Sequence, residues 1–294
     1  MKAQEPLISI VMPSYNQGKY IEEAICSILE QGYPKVEIIV IDGGSTDTSV
    51  EIIKKYEKRL AYWISEPDKG QSNALNKGFR RANGDLLTWL NSDDVLMPGA
   101  LDAVARAYDA NPESEWFAGK CLWMDPDGRI IKCGCGLNWN SLLPRMGVLE
   151  AGGPSCFFTK RLLEKAGYVN EDFHYMMDTE LWWRFYNKFG ATYRRVNRYL
   201  WGLRLHPAAK MSGHNFSESE SANNPEHPKW RQIRLEEAYL QQHYCAHSAN
   251  PRYVLGLLLS RMLKLLSLKY CKAVSDQVRY KGKTWREIAP IVKQ

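Results

Sequence analysis

The stretch LLTWLNSDDVLMP, from Leu86 to Pro98, runs from an apolar segment directly into two adjacent carboxylates. Leu86 to Leu90 has the composition of a short strand that is buried on both faces, and Pro98 is typical of the first position of a helix. Asp93 and Asp94 repel each other when they lie side by side. The sequence therefore predicts a positive partner between this strand and the following helix.

Three similar apolar segments precede this one, and each is followed by a helical pattern. We predict strands at Leu7–Met12 and Val36–Ile41, and a weaker one at Ala61–Ile64. Ser45 is the predicted N-cap of the second helix, and residues 71–82 fit the third. Four strand–helix alternations predict an α/β fold, Rossmann-like, with a mostly parallel central sheet and helices on both faces.

Polar residues follow each of these strands. In sheets of this kind ligands bind beyond the carboxyl ends of the strands, so we expect these residues to converge on one edge. Mg²⁺ and Mn²⁺ prefer one or two carboxylates together with phosphate oxygens and water, and such an ion would explain the paired aspartates. The alternative is a loop that only caps the next helix. The clusters are Ser14-Tyr15-Asn16, Asp42-Gly43-Gly44-Ser45, Glu66-Pro67-Asp68 and Asn91-Ser92-Asp93-Asp94.

The composition narrows the classes of protein. The 294 residues carry a net charge of +6, which weakly favours anionic partners and lacks the dense basic stripe of a nucleic-acid binder. Seven cysteines with irregular spacing, and a start without a secretory leader, predict a reducing, cytoplasmic compartment. The spacing of Cys133 and Cys135 does not fit the usual zinc pairs. No uncharged apolar run approaches the roughly 20 residues of a membrane span.

The pattern changes after residue 115. Residues 116–132 predict an antiparallel hairpin with its turn at Asp125–Gly128, and residues 160–167 and 177–189 predict helices. Residues 212–229 are polar and rich in turn formers, which predicts a loop or linker. The chain has a helical pattern from Pro228 onward.

Two long segments carry a family resemblance. SIVMPSYNQGKYIEEAICSILEQGYPKVEIIVIDGGSTD (9–47) and DKGQSNALNKGFRRANGDLLTWLNSDD (68–94) resemble the family 2 inverting glycosyltransferases of the GT-A fold. That family includes many bacterial enzymes that build polysaccharides and lipopolysaccharide of the cell envelope. The resemblance covers residues 6–210 and implies a catalytic domain at 1–210. The sequence pattern beyond it predicts a polar loop or linker at 211–229 and a helical C-terminal region at 230–294.

The resemblance implies a nucleotide-sugar donor site. The donor is a UDP-sugar by family frequency, with GDP- and dTDP-sugars left open. The residues that match the family's donor-binding segments are Pro13, Ser14, Tyr15, Asn16, Asp42, Gly44, Asp68, Gly70, Asn73, Asn76, Lys77, Asn91 and Ser92.

The resemblance also implies a metal site for Mn²⁺ or Mg²⁺. Asn91-Ser92-Asp93 occupies the place of the family's Asp-x-Asp motif, so Asp93 would bind the ion on the diphosphate and Asp94 would share this role. Asn91 departs from the usual Asp and removes one negative charge near the ion. In WGLRLHPAAKMSG (201–213), His206 is expected to reach the metal or the diphosphate, and Arg204 or Lys210 to offset phosphate charge.

Inverting sugar transfer needs a base that accepts the proton of the acceptor hydroxyl. The segment HYMMDTELWWRF (174–185) resembles the family's acidic motif, and the matching base is Asp178. Glu180 is the second candidate. The alternative is that Asp178 is only an N-cap of the helix, with Glu180 in its first turn. GGPSCFF (152–158) resembles a loop on the acceptor side.

Other classes of protein remain open at this point. A nucleotidyltransferase would also use strand-end carboxylates, but it calls for a Gly- and Arg/Lys-rich loop where this chain has PSYNQGKY (13–20). A retaining transferase would not need a base at Asp178. A non-catalytic nucleotide- or sugar-binding relative is supported by Asn91 alone. The preferred interpretation is a hexosyl- or N-acetylhexosaminyl-transferase that acts on a glycan or lipid-linked acceptor.

Residues 253–270, YVLGLLLSRMLKLLSLKY, are strongly apolar with interspersed basic residues. On a helical wheel the leucines cover a broad face, and the opposite face groups Gly256, Ser260, Arg261, Lys264 and Ser267. One interpretation is a core helix that docks on the catalytic domain. The other is a helix that lies on the inner face of the plasma membrane, near a lipid-linked acceptor.

Overall fold

The computed structural model describes residues 5–134, 143–149, 151–210, 227–244 and 251–292. Its N-terminal part confirms the predicted alternation of strands and helices. Two helices start later than predicted: the second at Ser49 rather than after Ser45, and the fourth at Ala100 rather than at Pro98. The elements are β1 (Ile8–Ser14), α1 (Ile21–Leu29), β2 (Val36–Asp42), α2 (Ser49–Tyr56), β3 (Tyr62–Ser65), α3 (Gln71–Phe79), β4 (Leu86–Trp89), β5 (Val95–Leu96) and α4 (Ala100–Asp109).

The second half contains the predicted hairpin and the two predicted helices. Asp125 Oδ1 accepts the backbone N–H groups of Asp127 and Arg129, which closes the hairpin turn. Most of the predicted 212–229 loop, together with Cys135, lies outside the described residues. The elements are β6 (Trp116–Met124), β7 (Ile130–Cys133), β8 (Cys156–Thr159), α5 (Lys160–Ala166), α6 (Met177–Phe189), β9 (Arg194–Arg204), α7 (Pro228–Tyr244), α8 (Pro251–Leu266), α9 (Lys269–Tyr280) and α10 (Trp285–Val292).

The nine described strands form one mixed sheet in the order β3-β2-β1-β4-β8-β6-β9-β5, with β7 beside β6. The first four are parallel, which confirms the α/β fold. Beyond β4 the sheet becomes mixed, because β8 runs antiparallel to both β4 and β6, and β5 antiparallel to β9. The carboxyl ends of β1 to β4 therefore lie on a common edge.

Helices cover both faces of this sheet, as predicted. Ile10 and Met12 of β1 belong to the apolar cluster of α1 and α4, whereas Val11 belongs to that of α3, α5 and α6. This alternation follows from the opposite directions of successive side chains in a strand. Both faces of β1 are thus closed to solvent, and only its end is free to meet a ligand.

The C-terminal helices pack on the α/β part. Tyr280, Trp285 and Ile288 form an apolar cluster with residues of β5, β6 and β7. The indole Nε1 of Trp285 donates to Glu23 Oε1 on α1 at 2.6 Å. Within the described residues, no helix combines the length and the apolar composition that crossing a membrane requires.

Candidate active site

The Asp42 carboxylate organises the loop that follows β2. It is fully buried, and Oδ2 accepts from the backbone N–H of Gly44 (3.1 Å), the N–H of Ser45 (2.8 Å) and the hydroxyl of Ser65 (2.7 Å). Its Oδ1 accepts the Ser45 hydroxyl at 2.5 Å. Ser45 therefore folds back onto Asp42, and this explains why the prediction of Ser45 as a helix N-cap is wrong.

The loop after β1 lies against the loop after β2. Pro13 and Ser14 end the strand and are buried, and the Ser14 hydroxyl has no hydrogen-bond partner among the described residues. Asn16 N donates to Ser45 Oγ at 2.8 Å. The Tyr15 ring is 62% exposed beside this junction. It offers a free aromatic face on the edge where strand ends converge.

Asp68 shapes the turn before α3. Its Oδ1 accepts the backbone N–H of Gly70 at 2.7 Å, and a methyl group placed on Gly43 would lie 2.8 Å from Asp68 Oδ2. The turns after β2 and β3 are therefore in close contact. Asp42, Gly44, Asp68 and Gly70 all lie on the edge that the sequence predicts.

Three residues of α3 that the sequence predicts to contact the sugar donor form contacts with protein side chains. The amides of Asn73 and Asn76 donate to the carboxylate of Glu171 at 2.9 and 2.8 Å. Asn76 is almost completely buried, and Lys77 pairs with Glu66 at 2.7 Å. The asparagine contacts hold Glu171 in the segment that precedes α6, and the Lys77–Glu66 pair joins α3 to the turn after β3.

The adjacent aspartates after β4 have opposite environments. Asp94 is 1% exposed, and its oxygens accept from Asn91 Nδ2 (2.9 Å) and the backbone N–H of Arg204 (2.9 Å). Burial, and then the charge of Asp93, raises the pKa of Asp94 well above its ordinary value. Ser92 is buried as well. Asp94 thus faces the interior, which does not fit the expected role as a second metal ligand.

Arg204 supports this turn from behind. Its Nε donates to the backbone carbonyl of Asp93 at 2.9 Å, and its guanidinium pairs with Glu23 at 2.5 Å. A third bond reaches the carbonyl of Pro126. These partners and the burial of Arg204 take it out of reach of a phosphate, contrary to the expectation from the sequence.

Asp93 faces His206. The distance from Asp93 Oδ2 to His206 Nε2 is 3.0 Å, and the buried imidazole packs on the Tyr20 ring with 4.7 Å between centroids. Two adjacent ligands of one octahedral ion lie about 3 Å apart when each metal–ligand bond is about 2.1 Å. The described residues hold no group of three or more His, Cys, Asp or Glu side chains suited to a metal. The pair therefore fits an ion that takes its remaining ligands from water and a diphosphate.

Asp178 lies in the first turn of α6, which begins at Met177, so it is not the N-cap residue. Its Oδ1 accepts the N–H of Thr179 at 2.6 Å, and its Oδ2 accepts the N–H of Gly153 at 3.2 Å. Burial raises the pKa of this carboxyl although these hydrogen bonds oppose the shift. The residue as a whole is partly exposed.

Glu180 has a different environment from Asp178. It is 2% exposed, its carboxylate pairs with Arg184 at 2.5 Å, and it accepts the Tyr244 hydroxyl at 2.9 Å. Both oxygens are engaged inside the protein. The geometry therefore disfavours Glu180 as the base and assigns it to the packing of α6.

A chain of polar contacts links the Asp93 turn to the Asp178 side of the site. Lys210 Nζ donates to Gln71 Oε1 at 3.0 Å, and Gln71 Nε2 donates to Asn91 Oδ1 at 2.7 Å. Burial lowers the pKa of Lys210 to about 8, although the negative charges of Glu236 and Asp178 oppose this shift. Sequence reasoning missed Gln71 and Glu236, whose carboxylate accepts the N–H of His174, because nothing local in the sequence marks a side chain whose partners lie far along the chain.

Comparison with known proteins agrees with this geometry. Residues 9–116 match the family described as "Glycosyl transferase family 2". A Campylobacter jejuni GalNAc(5)-diNAcBac-PP-undecaprenol beta-1,3-glucosyltransferase is 31% identical over 192 residues, which cover 62% of this chain and 60% of that protein. The chain spans less than two thirds of the length of the curated relatives that it matches.

Solved structures with the same fold include S. aureus TarS 1–349 in complex with UDP-GlcNAc, with a TM-score of 0.58 and 18% identity over 85% of this chain and 79% of that one. A mannosyltransferase from Pyrobaculum calidifontis in complex with GDP-Man and Mn²⁺ has a TM-score of 0.53 and 19% identity over 99% of this chain and 87% of that one. Residues 9–116 therefore match the family 2 glycosyltransferase model, and the fold is that of these solved glycosyltransferase structures, in agreement with the resemblance.

Proposed function

We propose that the chain is a metal-dependent inverting glycosyltransferase that moves a sugar from a nucleotide-sugar to a hydroxyl of a glycan or lipid-linked acceptor. One observation carries this proposal. Gln71 joins Asn91 of the Asp93 turn to Lys210, and the Asp178 carboxylate acts on the charge of Lys210, so the site for a diphosphate and the candidate base lie near one another.

The donor lies on the sheet edge in this proposal. The exposed Tyr15 ring is free to stack on a base, and Asp42 holds the neighbouring loop through four hydrogen bonds. We propose UDP as the nucleotide. The UDP-GlcNAc complex of TarS supports UDP, and the GDP-Man complex of the mannosyltransferase keeps GDP as the competing donor class.

Asp93 and His206 would hold Mn²⁺ or Mg²⁺, with Lys210 as a nearby cation. The ion, when bound, offsets the negative charge that develops on the leaving diphosphate. His206 is held in place by Tyr20, and Asp93 by the bond from Arg204 to its backbone carbonyl. This chain thus supplies few ligands, and the diphosphate completes the set.

Asp178 accepts the proton of the acceptor hydroxyl as that oxygen attacks the anomeric carbon from the face opposite the diphosphate. The transition state carries positive charge on the sugar ring, and the nearby carboxylate stabilises it. The N–H of Gly153 fixes Asp178 Oδ2, so the 152–155 turn belongs to the acceptor side. We propose a cytoplasmic setting, at the inner face of the plasma membrane when the acceptor is lipid-linked.

Calorimetric titration of the purified chain with UDP, GDP and dTDP, each with Mn²⁺ and with EDTA, tests the donor site. We expect one nucleotide to bind in a metal-dependent manner, and transfer from the matching sugar nucleotide to be lost in Asp178→Asn. A folded sample that binds none of the three nucleotides under either condition would overturn the proposal.

A further inference from the structure

The helix α8 is oriented against its own amphipathic pattern. Its small residues Gly256 and Ser260 are buried against the protein, and a methyl group on Gly256 would lie 2.8 Å from Met146 Cβ. Tyr253, Leu257, Leu259 and Leu263 join this packed side, against Leu143 and Val148, while Leu255, Leu258, Leu265 and Leu266 do not. A helix that only needed to cover the catalytic domain would bury its most apolar face. Here the small residues allow close approach, and most of the leucines point away.

The opposite side of α8 is an apolar surface, called here the α8 outer face. Its six side chains are between 46% and 74% exposed in the structure, and at 3.6 residues per turn they fall within about a third of the helix circumference. Contiguous exposed apolar surface of this kind marks an interaction site, because burial away from water is favourable. The residues are Val254, Leu255, Leu258, Met262, Leu265 and Leu266.

The positive charge of the chain is concentrated in the C-terminal segment that contains this helix. Residues 251–294 contain ten Lys and Arg but two Asp and Glu, a net +8, whereas the preceding 250 residues are net −2. At the start of α9, Lys269 and Lys272 line a cleft with Lys120, whose Nζ lies 4.2 Å from the centre of the Tyr199 ring. Burial, with Lys272 and Lys269 as like charges, lowers the pKa of Lys120 to about 8 although Asp276 opposes the shift.

We propose that the α8 outer face is a membrane-docking surface that lies in the headgroup region of a bilayer containing anionic phospholipid. An apolar helix face flanked by basic residues binds such bilayers through both apolar burial and electrostatic attraction. A second copy of this chain is the weaker occupant, because pairing would bring two segments of net +8 together. This surface is separate from the donor site, so the inference goes beyond the proposed function and does not depend on it.

Flotation with lipid vesicles tests the proposal on the full chain. We expect the protein to float with vesicles of mixed phosphatidylglycerol and phosphatidylcholine and to stay behind with pure phosphatidylcholine. Raising the salt from about 0.1 M to 1 M shortens the Debye length from about 10 Å to 3 Å and should weaken the binding. Leu258→Gln with Leu265→Gln should lower the bound fraction by about tenfold or more. Leu235→Gln on α7, where Leu235 is 58% exposed, is the matched control and should bind as wild type.

Both variants replace exposed side chains, so each should keep the unfolding temperature and the nucleotide binding of the wild type. A folded wild type that does not bind anionic vesicles overturns the proposal, and so does a double variant that floats as well as the wild type. A dimer in size-exclusion chromatography that the double variant dissociates would assign the α8 outer face to a second copy instead. Loss of nucleotide binding in all samples would concern the proposed function and leave the flotation result valid.

Discussion

The carboxylate of Glu236 on α7 accepts the backbone N–H of Met176, the residue that precedes α6, at 2.7 Å. The same carboxylate accepts the N–H groups of His174 (2.7 Å) and Tyr175 (2.9 Å), and Glu236 is 3% exposed. The first N–H groups of a helix lack partners within the helix, and α6 has no side-chain cap of its own. Glu236 therefore caps α6 at Met176, although the two residues lie 60 positions apart in sequence. Met176 lies two residues before Asp178.

We expect Glu236→Gln to lower both stability and transfer activity. The amide replaces one acceptor oxygen by a donor that faces backbone N–H groups, which costs about 1–3 kcal/mol in the free energy of unfolding. Loosening this cap should lower kcat more than donor affinity, because Asp178 moves with the helix. Urea unfolding and steady-state kinetics measure the two effects. Glu237→Gln, at an exposed position on the same helix, is the control; equal behaviour of the two variants would contradict the capping role.

Substitution of the two adjacent aspartates by asparagine, one at a time, should have different effects. Asp93→Asn should weaken metal-dependent nucleotide binding by roughly 10–100-fold while leaving the unfolding temperature nearly unchanged. Asp94→Asn should leave metal-dependent nucleotide binding nearly unchanged and should destabilise the fold. Its amide would place an N–H donor against Asn91 Nδ2 or the backbone N–H of Arg204, which lowers the free energy of unfolding by about 1–3 kcal/mol. Calorimetry with Mn²⁺ and thermal unfolding decide between them. Equal loss of metal-dependent binding in both would restore Asp94 as a ligand.

Asp178→Asn should abolish transfer and keep donor binding. Burial raises the pKa of Asp178 in the folded state, so its contribution to stability is present at low pH and is lost as the pH rises through the folded pKa. The stability of the variant relative to wild type should therefore increase with pH, because asparagine does not ionise. Glu180→Gln should instead destabilise the fold, by about 3–5 kcal/mol if Arg184 loses its buried partner. Retained transfer in Asp178→Asn would remove it from the mechanism.

The pH dependence of kcat/KM should show an acid limb above the ordinary range of an aspartate. The active form of Asp178 is deprotonated, and its pKa is raised, so activity falls as the pH decreases through that raised value. The profile is measured on wild type with saturating Mn²⁺. An acid limb at or below the ordinary pKa of about 4 would show that another group limits the rate.

Gly153→Ala should lower kcat, and Gly152→Ala should not. Gly153 has φ of +36°, and a methyl group there would lie 3.0 Å from the Trp201 ring and 3.7 Å from Asp178 Oδ2. A non-glycine residue in left-handed backbone costs about 1–2 kcal/mol, and the shift needed would loosen the Gly153–Asp178 hydrogen bond. Gly152 has φ of −139° and open space around its Cα. Equal kinetics for both variants would contradict a role of this turn in holding Asp178.

Much of the N-terminal half was predictable because its signals are local. Apolar runs such as Ile8–Met12 and Val36–Ile41 alternate with helical patterns, and this dictates a parallel sheet with converging strand ends. The start of α2 was not predictable from Ser45, since a serine hydroxyl satisfies a helix N–H or a neighbouring carboxylate equally well. Asp42, a residue of the same loop, competes successfully for it.

The sequence by itself determined the α/β fold and the strand-end residues, because periodicity, turn chemistry and motif order are written along the chain. Only the tertiary structure decided that Asp93 faces His206 while Asp94 faces the interior, since adjacent residues have identical local signals. It alone decided that Glu236 caps α6 and that α8 buries Gly256 and exposes four of its seven leucines. These outcomes depend on contacts between residues distant in sequence, where burial and the available hydrogen-bond partners determine the free energy of each arrangement.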